Sequence, residues 1–191
     1  YISTFPTVAT VSGNTVTIVG TGTTEIRVSQ EGNANYNAAI DVAQTLIVTK
    51  GNQTITFAAL SAKTFGDAAF NLTATGGGSG NAVTYTSSNT AVATVSGNTI
   101  TIVGAGTTNI TASQAANTNY NAATDVVQEL TVGKASQTII FAALPAKTFG
   151  DAAFDLTATG GASGNVITYV SSNTALATIS GTKVTILGAG N

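Results

Sequence analysis

The chain repeats itself, and the length of the repeat limits what it can fold into. Tyr36 recurs as Tyr120, 84 positions later (120 − 36). Gly20 recurs at the same step as Gly104 and again as Gly188. Phe65-Gly66-Asp67 returns as Phe149-Gly150-Asp151, and Gln53–Leu60 returns as Gln137–Leu144 with Ile140 in place of Thr56. Solenoid repeats of about 20–50 residues cannot bury a core alone. A unit of this length can, so the repeat predicts self-contained domains strung in tandem. The phase assigns residues 1–50 to the C-terminal part of one repeat, 51–134 to a complete repeat, and 135–191 to the N-terminal part of a further one. It also predicts a window cut from a longer polypeptide.

Composition narrows the class. Only 7% of residues are charged while 43% are hydrophobic, against about 25% charged in ordinary soluble domains. Thr, Ser, Asn and Ala must therefore cover the surface. High hydrophobicity with low charge argues against disorder, and no apolar run approaches the roughly 20 residues of a membrane-spanning helix. A net charge of −2 with six basic residues leaves no patch for nucleic acid. With no Cys or His, thiolate metal sites and Ser-His or Cys-His nucleophile systems are absent. No two carboxylates are placed together for glycoside hydrolysis. No cofactor is expected, and the chain reads as a non-enzyme.

Within the complete repeat the periodicity is that of strands. Gln53–Phe57 is a short β-rich run. Phe70, Leu72 and Ala74 alternate with Asn71, Thr73 and Thr75, the period of a half-buried strand. Gly76–Gly80 reads as a flexible turn, followed by a strand through Val83 and Tyr85. Ala93–Ser96 and Thr99–Val103 alternate about Gly97-Asn98, a two-residue hairpin turn. The same turn occurs as Gly13-Asn14 and Gly181-Thr182; the invariant first position predicts type II′, which needs Gly only there. Thr107–Ser113 places Ile110 and Ala112 inward, a polar loop covers Gln114–Asn121, and the last strand runs about Val126–Val132. About seven short strands, rich in β-branched residues, predict an all-β, two-sheet sandwich. Val95→Ile179, Ile100→Val184 and Val103→Leu187 between copies are the volume-similar exchanges a packed core tolerates.

The stretch Tyr85-Thr-Ser-Ser-Asn-Thr-Ala-Val-Ala-Thr-Val-Ser-Gly-Asn-Thr-Ile-Thr-Ile-Val-Gly-Ala-Gly-Thr-Thr-Asn-Ile-Thr-Ala112 resembles the group 2 bacterial immunoglobulin-like domains, with Tyr85 where that family commonly carries Trp. Lys63-Thr64-Phe65-Gly66-Asp67 resembles the related MBG repeats of large bacterial surface proteins. The resemblance implies tandem immunoglobulin-like sandwiches arranged as a rod. It brings no catalytic residue, and such modules serve mostly as spacers in surface adhesins and related proteins.

Four features were weighed as sites. Gly20–Thr24 and Gly104–Thr108 look like phosphate loops, but a strand follows each where an anion site needs a helix N-terminus. Asp67 and Asp151 fit turn-capping carboxylates rather than a calcium site, which needs clustered oxygen donors. Lys50, Lys63 and Asp67 supply the residue types of an intramolecular isopeptide bond. Asn33–Asn37 and its copy Asn117–Asn121 each join one aromatic ring to several amides. Tyr36, Asn37, Tyr120 and Asn121 are thus candidates for sugar binding by stacking and amide hydrogen bonds. The alternative is a Tyr that plugs the end of the sandwich while Asn side chains satisfy the loop backbone.

These readings converge on stalk or filament repeats of a secreted bacterial surface adhesin, located outside the cell and with neighbouring repeats as partners. Gly133–Ser136 is a short linker between beads. The other reading is a multivalent module that binds surface glycans or other adhesin chains through its loops.

Overall fold

In the computed structural model, which describes residues 1–190, every regular element is a strand. Residues 1–50 form β1 (Ile2–Ser3), β2 (Ala9–Ser12), β3 (Thr15–Ile18), β4 (Gly22–Val28) and β5 (Val42–Val48). The whole repeat forms β6 (Thr56–Phe57), β7 (Lys63–Thr64), β8 (Phe70–Asn71), β9 (Ala74–Thr75), β10 (Val83–Ser87), β11 (Ala93–Ser96), β12 (Thr99–Ile102), β13 (Gly106–Gln114) and β14 (Val126–Gly133). The remainder forms β15 (Ile140–Phe141), β16 (Phe154–Asp155), β17 (Ala158–Thr159), β18 (Ala177–Ser180) and β19 (Lys183–Ile186). The chain divides into two units, Tyr1–Lys134 and one that begins at Ala135. Among the described residues no helix is long and apolar enough to cross a membrane.

The whole repeat builds two layers. One sheet has the order β10-β13-β14-β7, antiparallel except for β7, which runs parallel to β14. The other side has β11-β12-β8, with β6 pairing β9 beside it. Phe57, Leu72, Ala93 and Ile100 from this side share one buried cluster with Ile110, Ala112, Leu130 and Val132 from the first sheet. The rings of Phe57 and Tyr85 meet at 5.6 Å and 58°, joining the layers. The arrangement is sandwich-like, with its core between the sheets.

Nine short strands stand where about seven were expected. The run Phe70–Thr75 keeps its alternation, with Leu72 buried and Asn71 and Thr73 exposed. It splits because it serves two partners: Phe70 lies opposite Ile100, and Ala74 opposite Phe57. Between them the Leu72 N–H donates to the backbone carbonyl of Asn98 at 2.7 Å. Lys63–Thr64 joins the opposite sheet as β7.

The hairpin turns form as the pattern predicts. Ser96 pairs with Thr99, Gly97 has φ 59°, and no non-glycine residue among those described has positive φ. Asn98 therefore keeps ordinary backbone geometry, which is the type II′ arrangement. Gly13 and Gly181 repeat it at φ 59° and 60°. Asn98 can be Thr182 in the next copy because only the first corner needs glycine.

Positions that differ between copies also report pairing. The Thr99 hydroxyl donates to Asn71 Oδ1 at 2.8 Å across β12 and β8. Their counterparts are Lys183 and Asp155, which form an ion pair at 3.5 Å. The polar exchange is thus a matched one, not free variation. Burial depends equally on neighbours. Ile100, flanked by β8, is fully buried; for its counterpart Val16, 42% exposed, the repeat position of β8 precedes Tyr1.

Candidate functional site

The loop Asn117–Asn121 builds its own shape first. Asn117 Oδ1 accepts the backbone N–H groups of Asn119 and Tyr120, each at 2.8 Å, and the Asn117 N–H donates to the Tyr120 carbonyl at 3.0 Å. Asn33 does the same for Asn35 and Tyr36, at 2.8 and 3.1 Å. A short amide side chain closing on backbone two and three residues ahead needs no help from elsewhere. The two copies therefore agree in local form.

They differ in what meets the tyrosine. The Tyr120 ring lies between Gly51 and Gly78. A Cβ on Gly78 would stand 2.7 Å from its Cζ, and one on Gly51 3.2 Å from its Cε1. Tyr120 is half-buried, whereas Tyr36 is 76% exposed and Asn37 is exposed beside it. Asn121 is exposed, but its Nδ2 donates to Asn52 Oδ1 at 2.9 Å. The loops share one conformation, and the repeat positions of Gly51 and Gly78 that would flank Tyr36 precede Tyr1.

The run Gly76–Gly80, expected to be flexible, is clamped. Gln114 is 3% exposed, and its Oε1 accepts the Gly77 N–H at 2.7 Å while its Nε2 donates to the Asn81 carbonyl at 2.7 Å. Gln53 is 8% exposed; its Oε1 accepts the Ser79 N–H at 2.9 Å, and its Nε2 donates to the Asn121 carbonyl at 2.9 Å. Asn117 Nδ2 adds a bond to the Ser79 carbonyl at 2.9 Å. Glycine is present here for close approach, since a Cβ on Gly76 or Gly77 would fall 2.5 Å from a glutamine side chain. Gln114, which the sequence places at the start of a polar loop, belongs to a strand. It is the last inward residue of β13, after Thr108, Ile110 and Ala112, all buried. Gln137 repeats the role of Gln53, accepting the Ser163 N–H at 3.2 Å.

Once shaped and clamped, the loop grips the first residue of its own repeat and two residues of the preceding one. The Gly51 N–H donates to the Asn119 carbonyl, and the Asn121 N–H to the Gly51 carbonyl, both at 2.9 Å. Lys50 Nζ donates to the Asn117 carbonyl at 2.7 Å. The Thr21 N–H donates to Asn119 Oδ1 at 3.1 Å, and the Thr21 hydroxyl to the Thr118 carbonyl at 2.8 Å. Residues 1–50 and 51–134 are therefore joined by side chain, backbone and linker at one place.

The other candidates resolve simply. Asp67 Oδ2 accepts the Thr64 N–H at 2.9 Å, and Asp151 Oδ2 accepts the Thr148 N–H at 3.0 Å, so both carboxylates cap turns. Gly20–Thr24 turns into β4, and Thr24 Oγ1 accepts the Phe5 N–H at 2.9 Å. Its counterpart Thr108 does the same for Asn89 at 3.0 Å and meets Ser87 Oγ at 2.8 Å. Lys50 is held on a carbonyl, Lys63 lies 4.7 Å over the Phe70 ring, and Asp67 closes its turn, so the three residues considered for an isopeptide bond are apart in their partners. Among the described residues no three acidic side chains gather as a metal site.

Gln53 and Gln114 are not among the sequence candidates, and Thr21, Thr24 and Thr108 enter there only as parts of the glycine loops. For Thr108 and Gln114 a signal existed: both fall on the inward phase of the strand that carries Ile110 and Ala112. A polar residue on an inward phase must find a partner.

No protein-family model matches the chain, and no curated protein matches it.

Proposed function

We propose that the chain is a structural spacer: tandem immunoglobulin-like domains that hold a distal part of a bacterial surface adhesin or filament away from the cell. The observation that carries this reading is the junction. Asn117, Thr118 and Asn119 hold Thr21 and Lys50 of the preceding repeat through bonds of 2.7–3.1 Å. A module that binds free ligands has no use for spending its loop on its neighbour, whereas a spacer needs neighbours at a set angle. Connections of this kind between domains otherwise permit relative motion. Strand order supports the immunoglobulin-like assignment: β6/β9 with β8-β12-β11 on one side and β10-β13-β14 on the other follow the division of strands in that sandwich. Each bead contributes length on the order of 35–45 Å, at a rise of about 3.3 Å per strand residue plus loops.

Two measurements on the full chain test this. Residual dipolar couplings from residues 1–50 and 51–134 should fit one alignment tensor, and small-angle scattering should report an elongated particle. Independent tensors for the two segments, or a compact particle, would overturn the spacer reading.

A further inference from the structure

The strand before each glycine turn is outermost in its sheet in all three repeats: β2 pairs only with β3, β11 only with β12, and β18 only with β19. The three are near copies, Ala9-Thr10-Val11-Ser12, Ala93-Thr94-Val95-Ser96 and Ala177-Thr178-Ile179-Ser180. In a hairpin closed by two residues, the pair flanking the turn exchanges both backbone bonds, and alternate pairs do so further along. Ser96 and Thr94 thus spend their N–H and C=O on Thr99 and Thr101. The N–H and C=O of Val95 point off the edge, and among the described residues no turn or loop bond reaches them. The same holds for Val11 and Ile179.

Sheets usually guard such an edge with charge, proline, a bulge or a covering segment. Here no charged residue lies between Asp67 and Asp125, and β11 has no proline and pairs without a bulge. On the other layer β7 is only two residues long and carries Lys63. Thr94 and Ser96, the outward side chains of β11, are exposed and uncharged.

We propose that this edge is a self-association site, at which β11 of one copy pairs antiparallel with β11 of a second copy about a two-fold axis at Val95. In that register each Val95 N–H meets the Val95 carbonyl of the other copy, and Thr94 stands opposite Ser96. The pattern is self-complementary, as an isologous contact requires. A four-residue edge is weak alone, but β2 and β18 repeat it, so each chain carries three such edges. The inference rests on the strand edges and not on the spacer reading.

Sedimentation equilibrium of the full chain across concentrations is the test, and mass rising above that of one chain is the expected result. Combined V11P, V95P and I179P substitutions remove N–H groups that the fold does not use, at positions where an edge strand accepts proline. They should weaken association at least about tenfold, following the loss of paired bonds, while circular dichroism keeps its strand signal. Combined T10K, T94K and T178K leave the backbone donors intact and should weaken it likewise; they decide the matter if the proline variant does not fold. T84K with T86K, on the neighbouring edge strand β10, should leave association unchanged. A single-chain mass at every concentration, or association lost with the β10 pair and kept with the other variants, would overturn the proposal.

Discussion

Asn119 Oδ1 accepts the backbone N–H of Thr21 at 3.1 Å, although the two residues lie 98 positions apart. The bond is possible because Asn117, not Asn119, shapes the loop. The second amide is left free to reach outward. A loop that looked like a candidate for ligand binding thus has one amide for its own form and one for its neighbour. Replacing Asn119 by Ala should leave global stability within about 1 kcal/mol, the net worth of one exposed bond. Amide exchange at Thr21 should speed up about tenfold, measurable by hydrogen exchange; unchanged exchange would contradict the geometry.

Tyr120 and Tyr36 should respond differently to the same change. Tyr120 packs against Gly51 and Gly78, so Tyr120→Ala should cost residues 1–134 about 2 kcal/mol, a packing loss. Tyr36→Ala, at a ring 76% exposed, should fall within about 0.5 kcal/mol, as for an unengaged surface residue. Denaturant midpoints of the two variants make the comparison. Glycan arrays probed with the natural chain and with Tyr36→Ala test the sugar-binding reading of that loop.

Gly78→Ala sets a methyl group 2.7 Å from the Tyr120 ring. The overpacking should cost about 1–3 kcal/mol. Combined with Tyr120→Ala, most of that cost should vanish, so a double-mutant cycle should show coupling above about 0.5 kcal/mol. Additive effects would mean that the ring and the glycine do not meet.

Gln114→Ala removes the acceptor for the Gly77 N–H and the donor to the Asn81 carbonyl. A buried donor without a partner costs about 1–3 kcal/mol. The expected outcome is lower stability together with fast exchange at Gly77; Gln114→Glu keeps the acceptor and should slow that exchange again, but not restore stability, because the Nε2 donor to Asn81 is still lost.

At the hairpin, Gly97→Ala forces a side chain into φ 59° and should cost about 1–2 kcal/mol. Asn98→Thr, which copies Thr182, should be neutral within about 0.5 kcal/mol. Thermal unfolding distinguishes the two. Equal effects would mean that the turn is not type II′.

Much of the fold was legible because its rules are local. Alternation in Ala93–Ser96 and Thr99–Ile102 is a period-2 pattern that acts over a few residues, and it sets both faces. The glycine turn is a matter of one φ angle. Asp67 caps its turn from three residues away. Phe70–Thr75 marks the limit: its faces were readable, but its division between Ile100 and Phe57 depends on which strands come alongside. For the same reason Gly76–Gly80 departs from the flexible turn its composition predicts. Composition reports that glycine can move, and only the neighbouring Gln53 and Gln114 decide that it does not.

The candidate loop shows the same boundary. By itself the sequence determined an all-β chain, its repeat, its hairpin turns and the closed form of both Asn-Tyr loops, since each of these is set by side chains within a few residues of one another. Only tertiary structure decided that Tyr120 is wedged against Gly51 and Gly78, and that Asn119 reaches Thr21. Those outcomes depend on which glycine, linker or turn lies against the loop, and residues so far apart in the chain leave no local pattern to read.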